Sequence, residues 1–174
     1  MRNAKSHAVS RKGQMIQQVF IFILAGLIFV LIVSYGYRAI QFFLERQEQV
    51  VLVDVQHKLE VAVEQVKRDF QSVRRLDVDL PSQYAGICFF DYERCGSVDR
   101  PRLSSPKGEF DVSFGKQACV AGSENVFIVP RAGEKIDLPD LDIPSGYVCI
   151  PNEGGVHVRL EGTGRKSRVS AWQE

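Results

Sequence analysis

No acidic residue precedes Glu45 in this 174-residue chain. From Met15 to Tyr37 there is no charge of either sign, and Leu, Ile, Val and Phe dominate. A helix lying on a soluble core keeps a polar stripe, and this run has none. Its length is about the 20 residues that a bilayer's hydrocarbon core requires. A removable secretory signal fits poorly. Its apolar core would hold roughly 7–15 residues and end at a small-residue cut site, and the following SYGYRAIQFFLERQ offers none.

Other absences narrow the function. Net charge is only +1, so no bulk polyelectrolyte partner is implied and nucleic acid is not expected. There is no C-x-x-C pair, and no His stands near a Cys, so no metal site is read. No G-x-S-x-G elbow occurs, and the serines of CGSVD and AGSEN stand outside one. GTGRKS at 162–167 lacks the spacing of a phosphate loop and reads as a hairpin turn. DLPDLDIP brings Asp137, Asp140 and Asp142 close together without a calcium loop's glycine and glutamate, and reads as a solvated loop. His7, His57 and His157 are scattered and suggest no triad. No N-x-S/T sequon is present. Nothing points to an enzyme or a cofactor.

Charge asymmetry orients the apolar run. Arg2, Lys5, Arg11 and Lys12 precede it, whereas Arg38 is followed by the mixed charges Glu45, Arg46 and Glu48. The positive-inside rule puts the N-terminus in the cytoplasm and the rest outside, as a single-pass protein of the cell membrane, with Tyr35 and Tyr37 in the outer aromatic belt. All four cysteines fall on the outer side, where two disulfides are expected. Three connectivities are open. Cys88 and Cys149 lie in apolar, strand-like runs, and Cys95 and Cys119 in loop-like runs, which suggests pairing like with like. A Cys88–Cys95 staple is the rival.

From Ala39 to Leu76 there is no Gly and no Pro. Leu52, Val55, Leu59, Val63, Val66, Phe70 and Val73 recur at three- and four-residue steps, one apolar stripe on a helix. The spacing predicts that the membrane helix continues to Leu76, with Pro81 ending it. Beyond Tyr84, short apolar runs alternate with Gly, Pro, Asp and Ser clusters. Candidate strands are 85–91, 109–114, 125–130, 134–138, 146–150, 155–161 and 166–172, read as one antiparallel sheet with Trp172 as a plug. A domain of this size is marginal alone, so the helix stripe is its natural cover. The basic residues Lys67, Arg68, Arg74, Arg75, Arg94, Arg100, Arg102 and Lys107 are interleaved with acids and read as a mixed solvated face.

The organisation is then a basic arm (1–13), a transmembrane helix (14–37), an amphipathic continuation (38–80) and a disulfide-stabilised antiparallel β domain (81–174). The class is α+β.

Lys12, Gly13 and Gln14, a basic residue, Gly and Gln opening an apolar helix, resemble the class III signal peptide of archaeal type IV pilin-like proteins. The resemblance covers residues 10–37 by motif and the rest by shape. It implies a prepilin peptidase that cuts between Gly13 and Gln14 on the cytoplasmic side and leaves the helix on the mature chain. It also implies a long helix packed on an antiparallel sheet outside the membrane, with self-association or other pilin-like subunits as partners besides the lipid. The family carries an acid at the fifth mature position and a small hydroxyl residue at the third; this chain has Gln18 and Ile16. A structural or assembly role in a surface filament or secretion apparatus follows from the resemblance. The alternative is an uncleaved single-pass protein displaying a β-rich binding module.

Overall fold

The computed structural model describes residues 11–133 and 135–172, with side chains from 18–42 and from 50 onward. The arm 1–10, including His7, lies outside the described residues. The chain forms two compact units, 1–46 and 47–174, and the helix α1, Arg11–Arg68, contributes to both.

In the first unit, Gln18–Phe42 is long and apolar enough to cross a membrane. All of its side chains are exposed, and the consecutive large hydrophobics Phe20, Ile21, Phe22 and Ile23 show that every side of the helix is apolar. Backbone hydrogen bonds satisfied within the helix make such a segment tolerable in hydrocarbon.

In the second unit, α1 buries Leu52, Val55, Leu59, Ala62, Val63 and Val66. These follow the 3.6-residue period, so one face is apolar and packed. The stripe stops there. The helix ends at Arg68 rather than near Leu76, and Phe70 is 72% exposed. Residues Val73–Val78 instead form strand β1. In VRRLDV, Leu76 and Val78 alternate inward, and pairing with β8 (Val156–Gly162) gives this segment a full ladder. The two-residue period therefore overrides the helical one. Gln71, at φ 63°, turns the chain and donates its N–H to Gly162 O at 2.8 Å, while Gly162 N–H donates to Ser72 O at 2.9 Å. A Cβ on Gly162 would collide with the carbonyl oxygens of Val66 and Asp69, so only glycine lets the last helical turn sit against β8.

The expected single sheet is three. One has the order β1-β8-β9-β6, with β9 Ser167–Ala171 and β6 Leu141–Asp142, and its short β6–β9 pair is parallel. A second has the order β5-β2-β7, with β2 Gly86–Phe90, β5 Val126–Val129 and β7 Tyr147–Pro151. The third is the hairpin β3 (Arg102–Ser105) with β4 (Gly108–Asp111). The expected strand 109–114 is cut short: helix α2 runs Ser113–Val120, its first N–H and hydroxyl both donating to Asp111 Oδ1. The expected strand 134–138 contributes a single bridge at Ile136. The GTGR hairpin joins β8 to β9, with Gly164 at φ 88°.

Strand β2 is buried on both faces, which divides the core in two. Ile87 and Phe89 face the cluster built on the α1 stripe, with Ile128, Ile150, Val158 and Leu160. Cys88 and Phe90 face a second cluster with Phe127, Cys95, Cys119 and Leu103.

Replacing Gly162 by Ala should destabilise the detergent-solubilised chain by about 1–3 kcal/mol, the usual cost of overpacking. Urea unfolding followed by circular dichroism reads this, and an unchanged midpoint would show that the helix end does not rest on β8.

Candidate functional site

The junction residues Lys12, Gly13 and Gln14 lie in the first turn of α1, directly ahead of the exposed apolar segment. Only their backbone is described.

The four cysteines are brought together as two disulfides. Cys88 on β2 lies directly across from Cys149 on β7 and bonds to it. Cys95, in the 3-10 turn Cys95–Ser97, bonds to Cys119 on α2. Both cystines belong to the second core cluster. The first ties two strands of one sheet; the second ties α2 to the loop after β2. They close loops of 61 and 24 residues. Removing a native disulfide from a small exported domain typically costs about 2–5 kcal/mol, so these bonds hold the part of the unit that the helix stripe does not reach.

Asp137, Asp140 and Asp142 do not form a merely solvated loop. Each takes a partner on a different element. Tyr92 donates its hydroxyl to Asp137 at 2.7 Å. Lys67 on α1 reaches Asp140 at 2.7 Å and also pairs with Glu64. Arg94 and Arg168 both donate to Asp142, at 2.8 and 2.9 Å. Arg94 also holds Asp91, which is 1% exposed and accepts the N–H groups of Glu93 and Ile143. Burial, the largest influence, pushes the Asp142 carboxyl up, but the hydrogen bonds from Arg94 and Arg168 outweigh it and hold the group below its ordinary value. Buried Asn125 completes this seam: its amide donates to Phe90 O and Leu138 O and accepts the Leu138 N–H. Neither Asp91 nor Asn125 carries a sequence signal for this role beyond an isolated polar residue beside an apolar run.

On the outer face of the four-stranded sheet, His157 Nδ1 lies 2.6 Å from Asp77, and Arg75 Nε donates to the same carboxylate at 2.7 Å. These hydrogen bonds, that of Arg75 first, pull the Asp77 carboxyl below its ordinary value. Trp172 is half-buried beneath the Arg75 guanidinium, 5.7 Å from its ring centroid, rather than plugging the core. The dispersed cations Lys67, Arg75, Arg94 and Arg102 are each paired with a carboxylate. Among the described residues, no group of three or more His, Cys, Asp and Glu is arranged to hold a metal ion.

The Asp142 link has a defined pH signature. Its folded pKa lies below the unfolded value, so its contribution is present above about pH 4 and is lost as pH falls through the folded pKa. Because both arginines remain about half in water, Asp142→Asn should cost about 1 kcal/mol at pH 7. The difference from wild type should shrink below about pH 4 in pH-resolved urea unfolding. A gap that persists undiminished to pH 2 would assign the loss to packing instead.

Comparison with known protein families, with curated proteins and with solved structures returns no match.

Proposed function

We propose that this chain is a non-enzymatic, membrane-anchored subunit of the pilin-like kind, processed at Gly13 and exported with its cystine-braced unit outside the cell membrane. One observation carries the reading. A single helix opens at the Lys12-Gly13-Gln14 junction, continues through a fully exposed apolar segment, and ends with its stripe buried under a small β-rich unit. An ordinary secretory signal separates from the domain that it exports; here the last turns of the same helix are core.

The parts then have assigned roles. Arg2, Lys5, Arg11 and Lys12 hold the N-terminus in the cytoplasm. The peptidase cut releases residues 1–13 and leaves Gln14 as the new terminus. The apolar segment is the anchor and, with neighbouring copies or related subunits, the packing surface. Gln18 supplies no carboxylate to register against a neighbour's terminal amine, so assembly relies on apolar packing, as suits a minor member of a filament or secretion apparatus.

Gln18 and Ile16 also favour a second reading, in which the arm is retained and the chain displays its outer unit as a binding module. Intact-mass analysis of the membrane-extracted protein separates the two. A chain beginning at Gln14, and accumulation of the full-length form in Gly13→Leu, are expected; a wild-type chain that keeps residues 1–13 contradicts processing and selects the second reading.

A further inference from the structure

Strand β1 is an edge of its sheet, and its free side is chemically uneven. Gly162 N–H bonds Ser72 O, so in the antiparallel register Arg74/Leu160 and Leu76/Val158 carry the next ladder bonds. The N–H and C=O groups of Val73, Arg75 and Asp77 therefore point away from β8, toward the open edge. On the inner side of that edge, α1 and β1 enclose a hollow of about 220 Å³ lined by His57, Lys58, Val61, Gln65, Arg74 and Leu76 among others. Its floor is apolar, and the charged residues that line it among the described residues, Lys58 and Arg74, are cationic.

Lys58 is already paired with Asp54. Arg74 donates to the neutral Gln65 and has no carboxylate partner among the described residues. The neighbouring hollow toward the helix end, of about 700 Å³, carries charges of both signs, through Glu64, Asp69, Arg68 and Arg74. Among the described residues Arg74 thus makes no ion pair, though Glu64 and Asp69 share the larger hollow with it, and it stands beside three backbone donors and three acceptors that face the open edge.

We propose that the β1 edge receives an extended acidic segment of a different protein, added as a fifth strand, with an apolar side chain over Val61 and Leu76 and a carboxylate on Arg74. Main-chain bonds to the edge supply affinity, and the hollow supplies side-chain preference. A second copy of this chain fits less well. The antiparallel self-pairing that uses the free groups of Val73, Arg75 and Asp77 together would set Arg75 opposite Arg75, and like charges directly opposite are destabilising. Without a partner Arg74 shields the edge from indiscriminate pairing; with an acidic segment the same residue becomes the selector.

The test uses the full chain in detergent micelles and a capped hexapeptide, Thr-Glu-Thr-Val-Thr-Glu, which puts both Glu and the central Val on one face and matches β1 in length. Fluorescence anisotropy should show binding, and hydrogen exchange should slow at the amides of Val73, Arg75 and Asp77. A peptide with Lys in place of Glu, and one with alternate amides N-methylated, should not bind. Arg74→Ala should weaken binding about tenfold, the loss of one charge-assisted bond. No protection up to about 1 mM acidic peptide, a range that would register even weak binding, overturns the proposal. So does equal binding by the Lys or N-methylated peptide. Protection of the same amides without peptide, rising with protein concentration, overturns it in favour of self-association.

Discussion

Burial of one helical stripe is the constraint on which the second unit depends. Leu52, Val55, Leu59, Val63 and Val66 sit under two sheets at once, with Ile87 and Phe89 from one and Val158 and Leu160 from the other. Burying each such side chain is worth about 1.5–3 kcal/mol. Neither sheet could keep its inner face dry alone. The three-stranded sheet is greasy on both sides, and the four-stranded one has only β1, β8, β9 and the two-residue β6. The helix is thus part of the core, and it also carries the segment that is long and apolar enough to cross a membrane. The stripe begins at Leu52, ten residues beyond Phe42, so the apolar segment and the core element are successive parts of one helix.

The far side of β2 has a different solution. Residues there are too few for the helix to cover, and two cystines, α2 and an aromatic group of Phe90, Phe114, Phe127 and Tyr147 take its place. Polar seams connect the two regions. Asp91 and Asn125 are buried with their bonding satisfied, and a buried polar group is tolerated only on that condition. The loop from Asp137 to Asp142 is held both by side chains from other elements and by its backbone, through Leu138 with Asn125, Asp140 O with the Ser167 N–H, and the β6–β9 pair.

The apolar segment, the helix stripe up to Val66 and the β8–β9 hairpin were all legible, because each repeats a simple period or carries glycines at a turn. The helix end was not. Phe70 and Val73 extend the helical spacing, and only the competing alternation of VRRLDV, completed by a strand more than seventy residues away, shows why the chain turns at Gln71. The division into three sheets was hidden for the same reason, since alternation identifies a strand and does not name its neighbour. Helix α2 is eight residues long, too short for a periodic signal. Of the functional features, the junction and the cysteine positions were visible as local motifs. The β1 edge and its cationic hollow exist only once residues 57–76 have folded back, so no stretch of sequence announces them.

The central claim is that one helix is lipid-embedded in its first part and core-forming in its last. A nitroxide scan of the full chain in bilayers, over 18–42 and 50–68, tests it directly. The account predicts accessibility to oxygen and protection from a water-soluble relaxation agent at every site of the first stretch, followed by a 3.6-residue oscillation with minima at Leu52, Val55, Leu59, Val63 and Val66. Access of the water-soluble agent throughout 18–42, or no oscillation after Val50, would contradict it.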